Sequence, residues 1–195
     1  MGKIILIRHG ESKLNVEGVY YGILNPELTE KGKEQAKKTR EILKNISYEK
    51  IYTSDLKRAI ETAEIVNYKE LEISIDEELR ELNFGIFEGR SYEELLEKYP
   101  EELKKSQKNW ENYNYITGES VLELQKRAIN FIEKKIDLEK DTVLVTHWGV
   151  INTILSHYFS NGLESYWKFS VKNGGVVIIE FSEGYPILKG LNIGG

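Results

Sequence analysis

The chain has 195 residues, no cysteine and a formal net charge of −5. Lack of cysteine excludes a disulfide framework, a thiolate-held zinc or iron–sulfur site and a thiol nucleophile, and the acidic balance argues against a nucleic-acid or anionic-membrane binder, which needs a basic face. With 40% apolar and 30% charged residues, the composition is that of a folded domain, and the length fits one domain, residues 1–195, with a small insertion.

The first predicted element is a strand, Ile4–Ile7, running directly into Arg8-His9-Gly10. Its flanks and length do not suit a signal peptide, and no run approaches the length of a membrane span, so the expected compartment is the cytoplasm. Thr29 can cap a helix through about Leu43, with Ala36, Thr39 and Leu43 at helical spacing. Ile51-Tyr52 reads as a second strand, ending in Thr53-Ser54-Asp55, and Ser54 or Asp55 is expected to cap a helix with Leu56, Ala59, Ala63 and Val66 on one face and Arg58 in its first turn. Ile73–Ile75 is a weaker strand.

From about residue 88 to 117 the alternation of strand and helix breaks. Ser91 and Glu94 form a capping box, Pro100 interrupts, and Tyr99, Trp110, Tyr113 and Tyr115 stand out against charged sequence. This stretch is expected to form a helical cap over one edge of the sheet. Ser120-Val121-Leu122-Glu123 is a second capping box. It opens a long helix with Val121, Leu124, Ala128, Ile132 and Ile136 on one stripe. Thr142–Thr146 is a continuous apolar strand ending in His147-Trp148-Gly149, followed by a helix expected over Val150–Phe159. Val176–Phe181 and Ile187–Leu191, joined at Glu183-Gly184, read as a hairpin. The whole is an α/β three-layer sandwich with a mainly parallel central sheet.

In such a sheet ligands bind outside the carboxyl ends of the strands. His9 and His147 follow two strand ends, Arg8 adjoins His9, and Arg58 lies in the first turn after a third. Two guanidinium groups converging on that edge suit a phosphate dianion. Each piece also has a purely structural explanation. A strand-end histidine is commonly a hydrogen-bonded structural group, a helix arginine is commonly solvated, Glu81 could be a loop carboxylate, and Gly118-Glu119-Ser120 is accounted for as a helix start.

Their order carries more. Arg8-His9-Gly10-Glu11-Ser12, Asn15, then Leu28-Thr29, Gly32, Gln35-Ala36, resembles the opening of the histidine phosphatase superfamily, phosphoglycerate mutase-like branch. Tyr52-Thr53-Ser54-Asp55-Leu56, Arg58-Ala59 and Thr62-Ala63 resemble the next block. Leu79-Arg80-Glu81, Phe84-Gly85 and Phe87-Glu88-Gly89 resemble a further one, and Gly118-Glu119-Ser120 and Val145-Thr146-His147 with Gly149-Val150-Ile151 complete the set. The resemblance implies that His9 is the nucleophile and becomes a phosphohistidine. It implies that Arg8, Arg58, His147 and, less centrally, Asn15 bind phosphate, and that Glu81 gives the leaving group its proton. It implies no metal and no cofactor; the partner is a small-molecule phosphomonoester. The chain departs from the family pattern at Glu27, Trp148 and Asn152, and Trp148 is expected to narrow the pocket.

Within the family, Phe84 to Gly89, Tyr99-Pro100, Trp110, Gly118-Glu119-Ser120 and the tail Trp167-Lys168-Phe169, Asn173-Gly174-Gly175 and Ile179-Glu180-Phe181 resemble α-ribazole phosphatases of anaerobic bacteria. Those enzymes dephosphorylate a benzimidazole riboside in cobalamin assembly. A broad-specificity phosphatase and a phosphoglycerate mutase are the alternatives. A non-catalytic phospho-ligand module, expected to have lost His9, Arg58 or Glu81, is more remote.

Overall fold

In the computed structural model, residues 1–193 are described. The sheet has six strands in the order β3-β2-β4-β1-β5-β6. They are β1 (Gly2–Arg8), β2 (Lys50–Thr53), β3 (Ile73–Ile75), β4 (Thr142–Thr146), β5 (Val176–Ser182) and β6 (Tyr185–Ile193). β1, β2, β3 and β4 pair in parallel; β5 runs antiparallel to β1 and forms the expected hairpin with β6.

The continuous apolar runs are explained by burial on both faces. Ile4 and Leu6 of β1 and Leu144 of β4 point to one core; Ile5, Ile7, Val143 and Val145 point to the other. The second core is closed by α2 (Glu30–Leu43) and α3 (Lys57–Val66), through Ala36, Leu43, Ala59, Ala63 and Val66. These follow a short helix, α1 (Lys13–Glu17), in the chain. The first core is closed by α6 (Val121–Lys135) and α7 (Trp148–Phe159), so the sandwich has three layers.

The segment expected as a cap holds α4 (Tyr92–Lys98) and α5 (Pro100–Lys108). Ser91 and Glu94 exchange the two bonds of a capping box, and Pro100 occupies the first turn of α5, where its missing N–H costs nothing. Leu95 and Leu103 anchor both helices to the core on the α6–α7 face. Among the described residues no helix is long and apolar enough to cross a membrane.

Two helix starts differ from expectation. α3 is preceded by Leu56, with no side-chain cap. Ser54 accepts the Leu56 N–H (3.2 Å) but its hydroxyl also reaches His147, and Asp55 pairs with Arg80 instead. α7 begins at Trp148, two residues before the apolar pattern, because His147 is its extended N-cap residue.

Candidate active site

The register of the two central strands creates the site. Arg8 of β1 lies opposite Thr146 of β4, so His9 and His147 emerge side by side, and the His9 N–H donates to the Thr146 carbonyl (2.9 Å). Their ring centroids are 5.1 Å apart. β2 lies on the other side of β4, which brings the Ser54 hydroxyl within 2.9 Å of His147 Nε2.

His9 is 3% exposed and Arg58 fully buried. The His9 Nδ1 lies 2.7 Å from the Gly10 carbonyl, which can only accept, so Nδ1 carries the proton. Nε2 therefore holds a lone pair and accepts from Arg58 Nε at 3.3 Å. Burial, with the Arg58 and Arg8 cations adding to it, holds the His9 imidazole well below its ordinary range. Burial does the same to His147. Both rings are neutral at neutral pH.

Arg58 is fixed by the backbone. Its Nη1 and Nη2 donate to the carbonyls of Leu24 (2.8 Å) and Gly22 (2.7 Å), and its guanidinium lies 4.7 Å over the Tyr21 ring. Arg8 is held by Nη1 to the Val171 carbonyl (2.6 Å), leaving its buried Nε without a partner among the described residues. His147 Nδ1 is likewise buried and unpartnered. Burial lowers both arginine pKa values, but from a starting point so high that both stay charged. Arg8, His9, Asn15, Arg58 and Glu81 line one cavity of about 410 Å³. His147 sits beneath it, against His9. Asn15 is committed mainly to local order: its Oδ1 accepts from Ser12 and lies 3.4 Å from the Asn173 amide.

Glu81 projects from the loop after β3. Its Oε1 accepts the Leu82 N–H (2.9 Å) and its Oε2 the Gly149 N–H at the start of α7 (3.1 Å). A Cβ at residue 149 would lie 2.3 Å from Glu81 Oε1, so only glycine permits this approach.

Sequence reasoning missed Tyr21, Ser54 as a partner of His147, and Glu88. The Glu88 carboxylate accepts from the backbone N–H groups of Gly22 (2.8 Å), Ile23 (3.1 Å), Leu24 (3.3 Å) and Phe84 (3.0 Å). It thereby shapes the loop whose carbonyls hold Arg58. Its place in Phe87-Glu88-Gly89 was the available signal.

A second cavity, of about 500 Å³, adjoins the first and shares Tyr20, Glu81, Phe84 and Trp148 with it. Trp110 and Tyr166 stack there at 5.5 Å and 20°. Trp148 meets Tyr166 edge-on at 5.3 Å, and Trp167 lies beside both tryptophans. The cap aromatics thus divide. Trp110 forms cavity wall, Tyr115 packs on Phe84 and Phe87 while touching the cavity, Tyr113 bonds Glu102, and Tyr99 lies under Arg90. Trp148 lines both cavities.

The sequence profile of the histidine phosphatase superfamily (branch 1) matches residues 4–194. The chain belongs to that superfamily. It is a phosphatase, and it is similar to phosphoserine phosphatase 1 of Hydrogenobacter thermophilus, at 33% identity over 99% of this chain and 93% of the relative. It is 31% identical to the adenosylcobalamin/α-ribazole phosphatase of Salmonella typhimurium, over 97% of this chain and 96% of that one. Among solved structures, a putative α-ribazole-5'-P phosphatase of Escherichia coli superposes with a TM-score of 0.93 at 28% identity, covering 100% of this chain and 97% of the other.

The neutral histidines of this phosphatase carry a pH dependence of stability. Folded His9 and His147 titrate below their ordinary value. As pH falls below about 6.5, the unfolded chain takes up protons that the folded chain refuses, so stability falls. Melting temperature should therefore decline from about pH 7 to about pH 5, less steeply in His9→Ala than in the parent. Identical slopes in the two proteins would contradict the buried neutral ring.

Proposed function

We propose that this phosphatase hydrolyses α-ribazole 5'-phosphate through a phosphohistidine on His9. In the first step the His9 Nε2 lone pair attacks phosphorus. The N–P bond forms, the P–O ester bond breaks, and Glu81 gives its proton to the departing alkoxide. In the second step water attacks the phosphohistidine and gives a proton to Glu81. The N–P bond breaks, inorganic phosphate leaves and His9 is restored. Arg8 and Arg58 neutralise the dianion, and the unpartnered His147 Nδ1 and Arg8 Nε are donors awaiting its oxygens. Such fixed charges in a dry site are the main source of phosphoryl-transfer catalysis.

The substrate is read from the second cavity. It opens from Glu81, the group that must reach the leaving oxygen, and its walls include Trp110, Trp148, Tyr166 and Trp167. A flat benzimidazole can lie against these aromatic side chains, and Ser106 and Gln107, which also line the cavity, can meet ribose hydroxyls. Among the described residues no cation lines this cavity. Phosphoserine and 3-phosphoglycerate each bring a carboxylate that would find no charge partner in it. Phosphoserine remains the second reading, favoured by the 33% identity to the Hydrogenobacter relative.

The deciding experiment compares kcat/KM for α-ribazole 5'-phosphate, phosphoserine and 3-phosphoglycerate under one condition. The first should be preferred; preference for phosphoserine would overturn the substrate assignment. Trp110→Ala should cost on the order of tenfold in kcat/KM for α-ribazole 5'-phosphate and little for phosphoserine, with melting temperature checked in parallel. Equal losses would assign Trp110 to packing alone.

A further inference from the structure

The Gly118-Glu119-Ser120 segment does more than start a helix. Gly118 lies so close to the loop of Glu81 that a Cβ there would sit 2.2 Å from the Asn83 carbonyl. The Glu119 N–H donates to that same carbonyl at 2.9 Å. The Glu119 carboxylate then takes a two-pronged bond from Arg127 of α6, Nε to Oε1 at 2.6 Å and Nη2 to Oε2 at 2.8 Å. Both side chains are about four-fifths shielded, with 21% and 18% of their surface exposed.

Arg127 uses its remaining donors on the backbone of the Glu81 loop. Nη1 donates to the Glu78 carbonyl at 2.7 Å, and Nη2 to the carbonyl of Glu81 itself at 3.1 Å. Thr146, at the end of β4, holds the Leu79 carbonyl from the other side (2.8 Å). One planar fork, oriented by Glu119, thus fixes two points of the segment whose next atoms are the Glu81 side chain. Arg127 does not bond the Glu81 carboxylate, which is held separately by the N–H groups of Leu82 and Gly149.

We propose that the Glu119–Arg127 pair is a positioning device for the Glu81 carboxyl, setting how well the leaving oxygen receives its proton. This rests on the reading of Glu81 as proton donor. The task demands arginine. Four hydrogen bonds in one plane, two to a carboxylate and two to carbonyls, match a guanidinium, whereas an ammonium is a point donor that cannot span them. Proton transfer is sharply sensitive to distance and alignment, so a displacement of well under 1 Å is enough to be read in the rate.

Arg127→Lys keeps the charge and removes the fork. It should lower kcat/KM for an alkyl phosphate such as phosphoserine or α-ribazole 5'-phosphate by roughly tenfold. With p-nitrophenyl phosphate, whose leaving group needs little protonation, the loss in kcat/KM should stay within about threefold. Vanadate affinity should stay within about threefold of the parent, because the phosphate pocket is untouched. Glu119→Gln, which keeps the shape but weakens the orienting bond, should give the same selective pattern in smaller measure, and serves if Arg127→Lys folds poorly. In a Glu81→Gln background Arg127→Lys should add no further loss on any substrate. Equal losses on both substrate types, weakened vanadate binding, or full additivity with Glu81→Gln would each overturn the proposal. If Glu81→Gln by itself shows no leaving-group selectivity, the proton-donor reading fails first, and the device loses its purpose with it.

Discussion

Replacing His9 with alanine should remove turnover, lowering kcat by at least about 10³-fold, while the chain still folds and binds vanadate. The size follows from the absence of a substitute. Only two other histidines exist, His147 and His157. His147 commits Nε2 to Ser54, and the ring is fully buried outside the lining of the cavity. His157 lies in a separate surface depression with Gln125, Lys126 and Glu133. His9 presents an unprotonated nitrogen to the cavity, held by Gly10 on one side and oriented by Arg58 on the other. The neutral form is available at neutral pH because burial and the two arginine cations disfavour protonation. The same cations raise the local concentration of a dianionic substrate. Rapid acid quench with labelled substrate should trap phosphoprotein in the parent and none in His9→Ala. A near-parental rate in His9→Ala, with loss in His147→Ala, would reverse the two roles.

What could be read from the sequence, and what could not, divides along a physical line. Apolar runs and capping boxes are local signals, and they located β1, β4, α2, α4 and α6 closely, because burial on both sheet faces and the first turn of a helix leave compositional marks. The histidine pair was legible because both rings follow apolar strands directly. The partners that orient the site were not, because they are contacts of single side chains across many residues, to a backbone atom or to another side chain. Glu88 reaches Gly22 across 66 positions, Ser54 reaches His147 across 93, and Asn173 reaches the His9 carbonyl across 164. None of these has a period. The start of α7 was placed late for a related reason. His147 sits extended at the N-cap without a capping side-chain bond, so the sequence carries no capping signal there. The departure at Asn152 gains an account only from the fold. Its amide donates to the Tyr166 and Phe169 carbonyls (3.0 and 3.1 Å), holding the segment that brings Tyr166 and Trp167 against Trp110 and Trp148.

Glu81→Gln should lower kcat/KM by roughly 10²- to 10⁴-fold on alkyl phosphates, the usual range for loss of a general acid. On p-nitrophenyl phosphate the loss in kcat/KM, which reads the first step alone, should be under about tenfold, because p-nitrophenolate leaves without a proton. Glutamine preserves the shape and can still accept the Leu82 N–H, but its amide cannot give a proton to an alkoxide. The other carboxylate oxygen, on the Gly149 N–H, would either be kept as the amide oxygen or become an NH₂ facing a donor, so one of the two present bonds is lost. That cost falls on both substrates equally and sets the baseline from which selectivity is read. Gly149→Ala offers an independent route to the same atoms, since its Cβ would press on Glu81 Oε1 at 2.3 Å and push the carboxyl off the leaving oxygen without changing its chemistry. It should reproduce the selectivity of Glu81→Gln with the acid still present. The second half of the cycle gives a further readout. In the proposed mechanism hydrolysis of the phosphohistidine uses the same carboxylate as base, so with p-nitrophenyl phosphate the variant should release one equivalent of nitrophenolate in a burst and then turn over slowly. Equal losses on alkyl and aryl esters, with no burst, would make Glu81 a phosphate-positioning group and leave the proton donor to be sought elsewhere in the cavity.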